Sequence, residues 1–110
     1  MKFTLEYGRE FAVGGIKGVE YSTKKDFPNA SVAFMVVSGR HGKNKNMKSD
    51  RVYIIKAGSG KFVIDEKGTE VGKNDVIIIP KGTPYDFMGE MQLFLVDTPA
   101  FEKDADMPLE

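Results

Sequence analysis

The feature that most constrains the fold is the absence of any sustained helical stripe alongside many short, β-branched apolar runs. No segment keeps apolar residues at i, i+3, i+4 and i+7 for three turns. Instead the runs recur at the spacing of an all-β sandwich or barrel, each closed by turn residues. The clearest predicted strands are Ala30 to Ser38, Arg51 to Ala57, Lys61 to Asp65, Asp75 to Pro80 and Gln92 to Asp97. Fainter ones are Glu10 to Val13, Ile16 to Ser22, Thr69 to Val71 and Tyr85 to Met88. Gly58-Ser59-Gly60 and Asp65-Glu66-Lys67-Gly68 read as hairpin connections, the second with its glycine as the left-handed residue. Pro80 should end the run Val76-Ile77-Ile78-Ile79, because proline has no ladder donor to give.

The 110 residues fit one domain, 1–110, and the composition is that of a chain that folds, with 41% hydrophobic and 29% charged residues. Sixteen basic and sixteen acidic side chains cancel, so nothing in the total attracts nucleic acid or an anionic membrane. The distribution is uneven. Arg40, Lys43, Lys45, Lys48, Arg51 and Lys56 face one acid, Asp50, in their segment, whereas the tail 99–110 sets Glu102, Asp104, Asp106 and Glu110 against Lys103. No cysteine is present, which removes disulfides, thiolate metal sites and cysteine nucleophiles and suits a reducing compartment. With no signal-like or membrane-spanning apolar run, a cytoplasmic protein is expected.

The segment Gly39 to Gly89 resembles the two signature motifs of the cupin superfamily. Pro80-Lys81-Gly82-Thr83-Pro84-Tyr85 fits the Pro-x-Gly-x-x-His part of the second motif, with Asn74 in its leading glycine slot and Tyr85 in its histidine slot. Asparagine tolerates the left-handed turn needed there. Arg51 to Gly58 has the spacing that closes the first motif, and Phe94 to Phe101 is similar to the last strand and exit of small cupins. The resemblance implies a double-stranded β-helix, a jelly-roll barrel. It also implies four metal-ligand slots, two histidines, a glutamate and a third histidine. Here they fall on Lys45 and Met47, or Asn44 and Asn46 in the alternative register, then Arg51 and Tyr85. No metal and no cofactor is expected from that set.

By motif position Arg51, Tyr53 and Ile55 face inward and Val52, Ile54 and Lys56 outward. A guanidinium in a barrel mouth needs an anionic partner, so the candidate ligand-binding residues are Arg51, Tyr85, Lys45, Tyr53 and Met47, for a small anionic metabolite or sugar derivative. The alternative is that Arg51 pairs with an acid of the chain itself, Asp50 or Asp86. Tyr85 and His41 are the candidate catalytic pair of a metal-independent isomerase, epimerase or cyclase, which requires both to face one cavity. A third reading keeps a metal through His41, Asn44, Asn46, Asp50 and Tyr85. Met35, Met47, Met88 and Met91 with Phe34, Phe62, Phe87 and Phe94 read as barrel filling. A homodimer is implied by the resemblance alone, with Lys2 to Tyr7 and the tail as the segments freest to reach a partner.

Overall fold

The computed structural model of the chain describes residues 1–109. It holds nine strands: β1 (Arg9–Val13), β2 (Ile16–Glu20), β3 (Ser31–Arg40), β4 (Asn44–Asn46), β5 (Asp50–Ile64), β6 (Lys67–Gly72), β7 (Val76–Ile79), β8 (Tyr85–Thr98) and β9 (Asp106–Pro108), with one 3-10 turn, Lys103–Ala105. All pairings are antiparallel. Strands β5 and β8 pair along their whole length, from Asp50 opposite Thr98 to Ile64 opposite Tyr85. Their first and last halves belong to different walls: β1-β2-β3-β8-β5-β7 on one side, β6-β5-β8-β4-β9 on the other.

This geometry corrects one sequence expectation. Gly58-Ser59-Gly60 is not a hairpin but the point where β5 bends from one wall to the other, next to a register shift between Ile55 and Ala57. There β5 and β8 approach too closely for side chains. A Cβ on Gly58 would lie 2.2 Å from the Glu90 carbonyl oxygen and one on Gly89 2.5 Å from that of Ser59, and both glycines have positive φ. In the β5–β6 hairpin the left-handed residues are Asp65 and Glu66, not Gly68. The chain therefore makes a two-residue turn of the kind that matches strand twist. Asn74 does take the left-handed conformation (φ 75°), and β7 does end before Pro80.

The barrel is filled by Tyr53, Ile55, Phe62, Phe87, Leu93 and Val37, none more than 1% exposed, with Ile16, Met35, Val71, Ile79, Met91 and Leu95 around them. Alternation along β5 is as the motif position implies, Arg51, Tyr53 and Ile55 inside and Ile54 and Lys56 outside. The expected filling set divides. Phe62, Phe87, Met35 and Met91 are core, but Met47 is exposed, and Phe34 packs on Phe94 at 5.5 Å outside the barrel with the Lys56 ammonium over its ring.

The tail is a second correction. It is not free: it folds back so that β9 pairs with β4, Asn44 opposite Pro108 and Asn46 opposite Asp106. Charge explains the docking, because the acidic tail meets the basic segment. Glu102 pairs with Lys24 and Lys48, and Asp106 with Arg51. No described helix is long and apolar enough to cross a membrane.

Candidate functional site

One end of the barrel gathers polar side chains from five elements. Strand β4 supplies Asn44 and Asn46 on its buried side, 6% and 2% exposed, so the alternative register of the first motif is the inward one. Lys45 points away from it and Met47 follows in the exposed turn, so neither joins the cluster. Asn46 is fully engaged. Its Oδ1 accepts from the backbone N–H of Lys48 (3.0 Å) and Ser49 (2.8 Å), shaping the turn into β5, and its Nδ2 donates to Asp106 Oδ1 at 2.9 Å.

Arg51 opens β5 inside the mouth. Its Nε and Nη2 donate to the two oxygens of Asp97 on β8 at 2.8 and 3.3 Å, a buried bidentate pair. Its Nη1 donates to the Tyr85 hydroxyl at 2.5 Å and lies 3.4 Å from Asp106 Oδ1, while the Phe101 ring sits 5.6 Å from the guanidinium carbon. The internal partner is thus neither Asp50, whose carboxylate accepts from Lys81 N–H, nor Asp86. One fixed cation faces two carboxylates. Arg51 thus has anionic partners within the chain, which is the alternative the sequence left open, with Asp97 and Asp106 in place of Asp50 or Asp86. Burial pushes the Asp97 carboxyl above its ordinary value, against the pull of Arg51.

Tyr53 and Tyr85 touch hydroxyl to hydroxyl at 2.8 Å, and both are buried. Burial pushes the pKa of each phenol above its ordinary value, so both stay protonated at neutral pH. Two phenolic hydrogens share one contact. Tyr53, completely enclosed, has only the Tyr85 oxygen to donate to, which leaves the Tyr85 O–H free for something in the mouth.

His41 lies on the loop between β3 and β4, and that loop is clamped from below by Asp86. The carboxylate accepts from Arg40 Nε at 2.6 Å and the backbone N–H of Gly42 at 2.8 Å, and the backbone N–H of His41 donates to the Phe87 carbonyl at 2.8 Å. The imidazole stacks on Phe87 at 4.5 Å and on Tyr85 at 5.7 Å. Its Nδ1 is 2.8 Å from the Gly42 carbonyl, which can only accept. The hydrogen therefore sits on Nδ1 and the lone pair on Nε2. Burial, with Arg51 nearby, lowers the imidazole below its ordinary 6.5, so it is neutral at pH 7. The unfolded chain then binds a proton at His41 more readily than the folded one, and stability must fall as pH drops below 6.5. A His41→Gln variant should lose that part of the acid destabilisation, read from melting curves of both proteins between pH 7 and 5.

The four slots where metal-holding cupins carry their ligands contain Asn44, Asn46, Arg51 and Tyr85. A permanent cation at the third slot does not suit a divalent metal, and no three His, Cys, Asp or Glu side chains among the described residues are placed to hold one. Asp50 is engaged at the surface by Lys81, so the five-residue metal set is not assembled. Asp97, Asp106 and Asn44 complete the cluster; from the sequence Asn44 is a candidate metal ligand only, and neither aspartate is named as a binding residue. Asp97 had a signal: it continues the inward parity of Leu93 and Leu95, where a charge needs a partner. Two open grooves, about 600 Å³ beside Ser59, Lys61 and Glu90 and about 510 Å³ beside Phe11, Lys17 and Phe34, lie outside the barrel and away from this cluster.

The fold is that of the cupins, a small curled antiparallel barrel. No family model and no curated protein matches the sequence. Among solved structures, the chain is similar to Pac13, described as a unique nucleoside dehydratase, at 26% identity and a TM-score of 0.92, covering 100% of this chain and 91% of that one. Streptomyces Pac13 variants with Tyr→Phe or His→Gln substitutions, each with uridine, match at 25% to 27% identity. KdgF from Halomonas sp. (12%, TM-score 0.79, covering 93% and 94%) and Bacillus subtilis oxalate decarboxylase (21%, 0.82, covering 97% and 32%) share the fold.

Proposed function

We propose that the chain is a small-molecule-binding cupin that works as a metal-independent acid–base enzyme, removing water from a neutral nucleoside-like substrate. The observation that carries this is the pairing in one mouth of a neutral imidazole with its Nε2 lone pair free and a buried phenol with its hydrogen uncommitted. Both candidate catalytic residues, His41 and Tyr85, face the same end of the barrel, as an acid–base reading requires. The likeness to Pac13 supports dehydration over isomerisation, and the residue types replaced in its uridine-bound variants, histidine and tyrosine, are those gathered here.

The step is an elimination. His41 Nε2 takes a proton from a carbon made acidic by a neighbouring carbonyl, the electron pair forms a carbon–carbon double bond, and the hydroxyl on the next carbon leaves with the proton of Tyr85 as water. Proton return from His41 to Tyr85 through water closes the cycle. Arg51, held by Asp97, donates to the Tyr85 oxygen and so stabilises the phenolate formed when Tyr85 gives up its proton. The tail covers this cluster through Asp106 and Phe101, so substrate entry involves displacement of β9. Titration with uridine by calorimetry, followed by mass spectrometry of β-hydroxycarbonyl nucleosides incubated with the protein, tests the reading. Binding and loss of one water are expected; neither being seen overturns it.

A homodimer is also proposed. The outer face of β3, β8, β5 and β7 carries an apolar patch, with Phe34 opposite Phe94, Phe94 opposite Ile54, Ile54 opposite Val76 and Val52 opposite Ile78, and the Lys56 ammonium over the Phe34 and Phe94 rings at its edge. Ile54, Val76 and Ile78 are 37%, 54% and 64% exposed, and such a face is self-complementary in a twofold pair. Ile54→Asp with Ile78→Asp should shift light-scattering mass from dimer to monomer, and a wild-type monomer would refute the proposal.

A further inference from the structure

Asn44 is an inward residue of the cluster whose amide is left half used. Its Nδ2 donates to Asp106 Oδ1 at 3.3 Å, while Oδ1, in a residue 6% exposed, has no partner. The amide cannot be turned to hide this, because the flipped form would set its oxygen against the Asp106 carboxylate. Asn46, two residues on and on the same face, has both ends of its amide occupied. Asn46 therefore builds the turn, and Asn44 keeps a buried acceptor whose natural complement is a hydrogen-bond donor.

Asn44 is the cross-strand partner of Tyr85, and such partners have Cβ atoms about 5 Å apart on one face. The unused acceptor thus stands beside the unused donor, the Tyr85 O–H. A single neutral group satisfies both if it accepts from one and donates to the other, which a hydroxyl does. A cation in that place would meet Arg51, and an anion would meet Asp97, Asp106 and the Asn44 carbonyl oxygen.

We propose that Asn44 is a ligand-binding residue whose Oδ1 accepts a hydrogen bond from a sugar hydroxyl of the nucleoside, the same hydroxyl that takes a hydrogen bond from Tyr85. This rests on the nucleoside reading above and adds the group that orients the leaving oxygen. The residue's own contribution is selection: a substrate lacking that hydroxyl leaves both buried groups unpaired.

The test is calorimetric titration of wild type, Asn44→Ala and Asn44→Leu with uridine, 2′,3′-dideoxyuridine, 5′-deoxyuridine and 3-methyluridine. Asn44→Leu is close in size to asparagine and guards against collapse of the alanine variant, with melting curves confirming that each protein is folded. Wild type should bind one deoxy analogue about 10- to 100-fold more weakly than uridine, the effect of one buried hydrogen bond, and 3-methyluridine as well as uridine. The variants should bind uridine about 10-fold or more weakly and no longer distinguish that analogue. Equal binding of both deoxy analogues by wild type, selective loss of 3-methyluridine, or discrimination that persists without Asn44 overturns the proposal and leaves the nucleoside reading standing. A wild type that does not bind uridine overturns both.

Discussion

Arg51→Met is expected to destabilise the protein by about 3–5 kcal/mol, because it leaves a buried carboxylate without its cation. Asp97 is 2% exposed, and both of its oxygens accept from the guanidinium. In a domain of this size each 1 kcal/mol moves the melting midpoint by about 4–5 °C, so a fall on the order of 12–25 °C should be seen by calorimetry. The loss should be pH-dependent, with a definite sign. Burial already raises the Asp97 carboxyl, and Arg51 is what holds it down. Without Arg51 it rises further above its unfolded value, so the folded variant binds the extra proton and grows more stable relative to wild type as pH falls. Adding Asp97→Leu to Arg51→Met should recover most of the loss, since a buried ion pair contributes little net stability over an apolar pair. A single variant that melts like wild type would show that the pair is not desolvated in solution.

His41→Gln should lower kcat by about 100- to 10,000-fold, the usual contribution of a positioned general base, with uridine affinity changed only a few-fold. Glutamine keeps much of the volume stacked on Phe87 and Tyr85 but has no nitrogen lone pair. Tyr85→Phe should produce a comparable loss, and it also removes the oxygen that Arg51 Nη1 donates to. In wild type, kcat/KM should be flat near neutrality and decline only below 6.5, because the His41 imidazole is lowered from that value. The acid limb should vanish in His41→Gln. Activity surviving unchanged in that variant, with the acid limb intact, would remove His41 from the mechanism.

Much of the fold was legible because its signals are local. Alternation put Arg51, Tyr53 and Ile55 on one face and the strand end at Pro80 follows from residue type, while the motif slots implied the inward sense of that face and the left-handed turn at Asn74. The crossing at Gly58 to Gly60 was not, because glycines that open a hairpin and glycines that let two strands touch look the same along the chain. Of the cluster at this end of the barrel, Arg51, Tyr53, Tyr85 and His41 could be named from the sequence, whereas Lys45 and Met47 were expected there and lie outside it, and Asp97 and Asp106, which hold Arg51, were not named. Arg51 and Asp97 are 46 residues apart, and Asn46 and Asp106 are 60 apart. Such pairings are set by the closure of the barrel rather than by any periodicity. The opposed charges of the tail and the basic segment were visible, yet their meaning required the two to be brought together.

The internally matched guanidinium also governs how this barrel could be re-engineered. Rebuilding four metal ligands at Asn44, Asn46, Arg51 and Tyr85 cannot begin with Arg51→Glu, because that intermediate would crowd a third carboxylate beside Asp97 and Asp106. Neutralising Asp97 must come first. The order of substitution is thus set by one ion pair, and in a library that varies the four slots while holding Asp97 constant every member without Arg51 carries the cost of a buried carboxylate that has lost its cation.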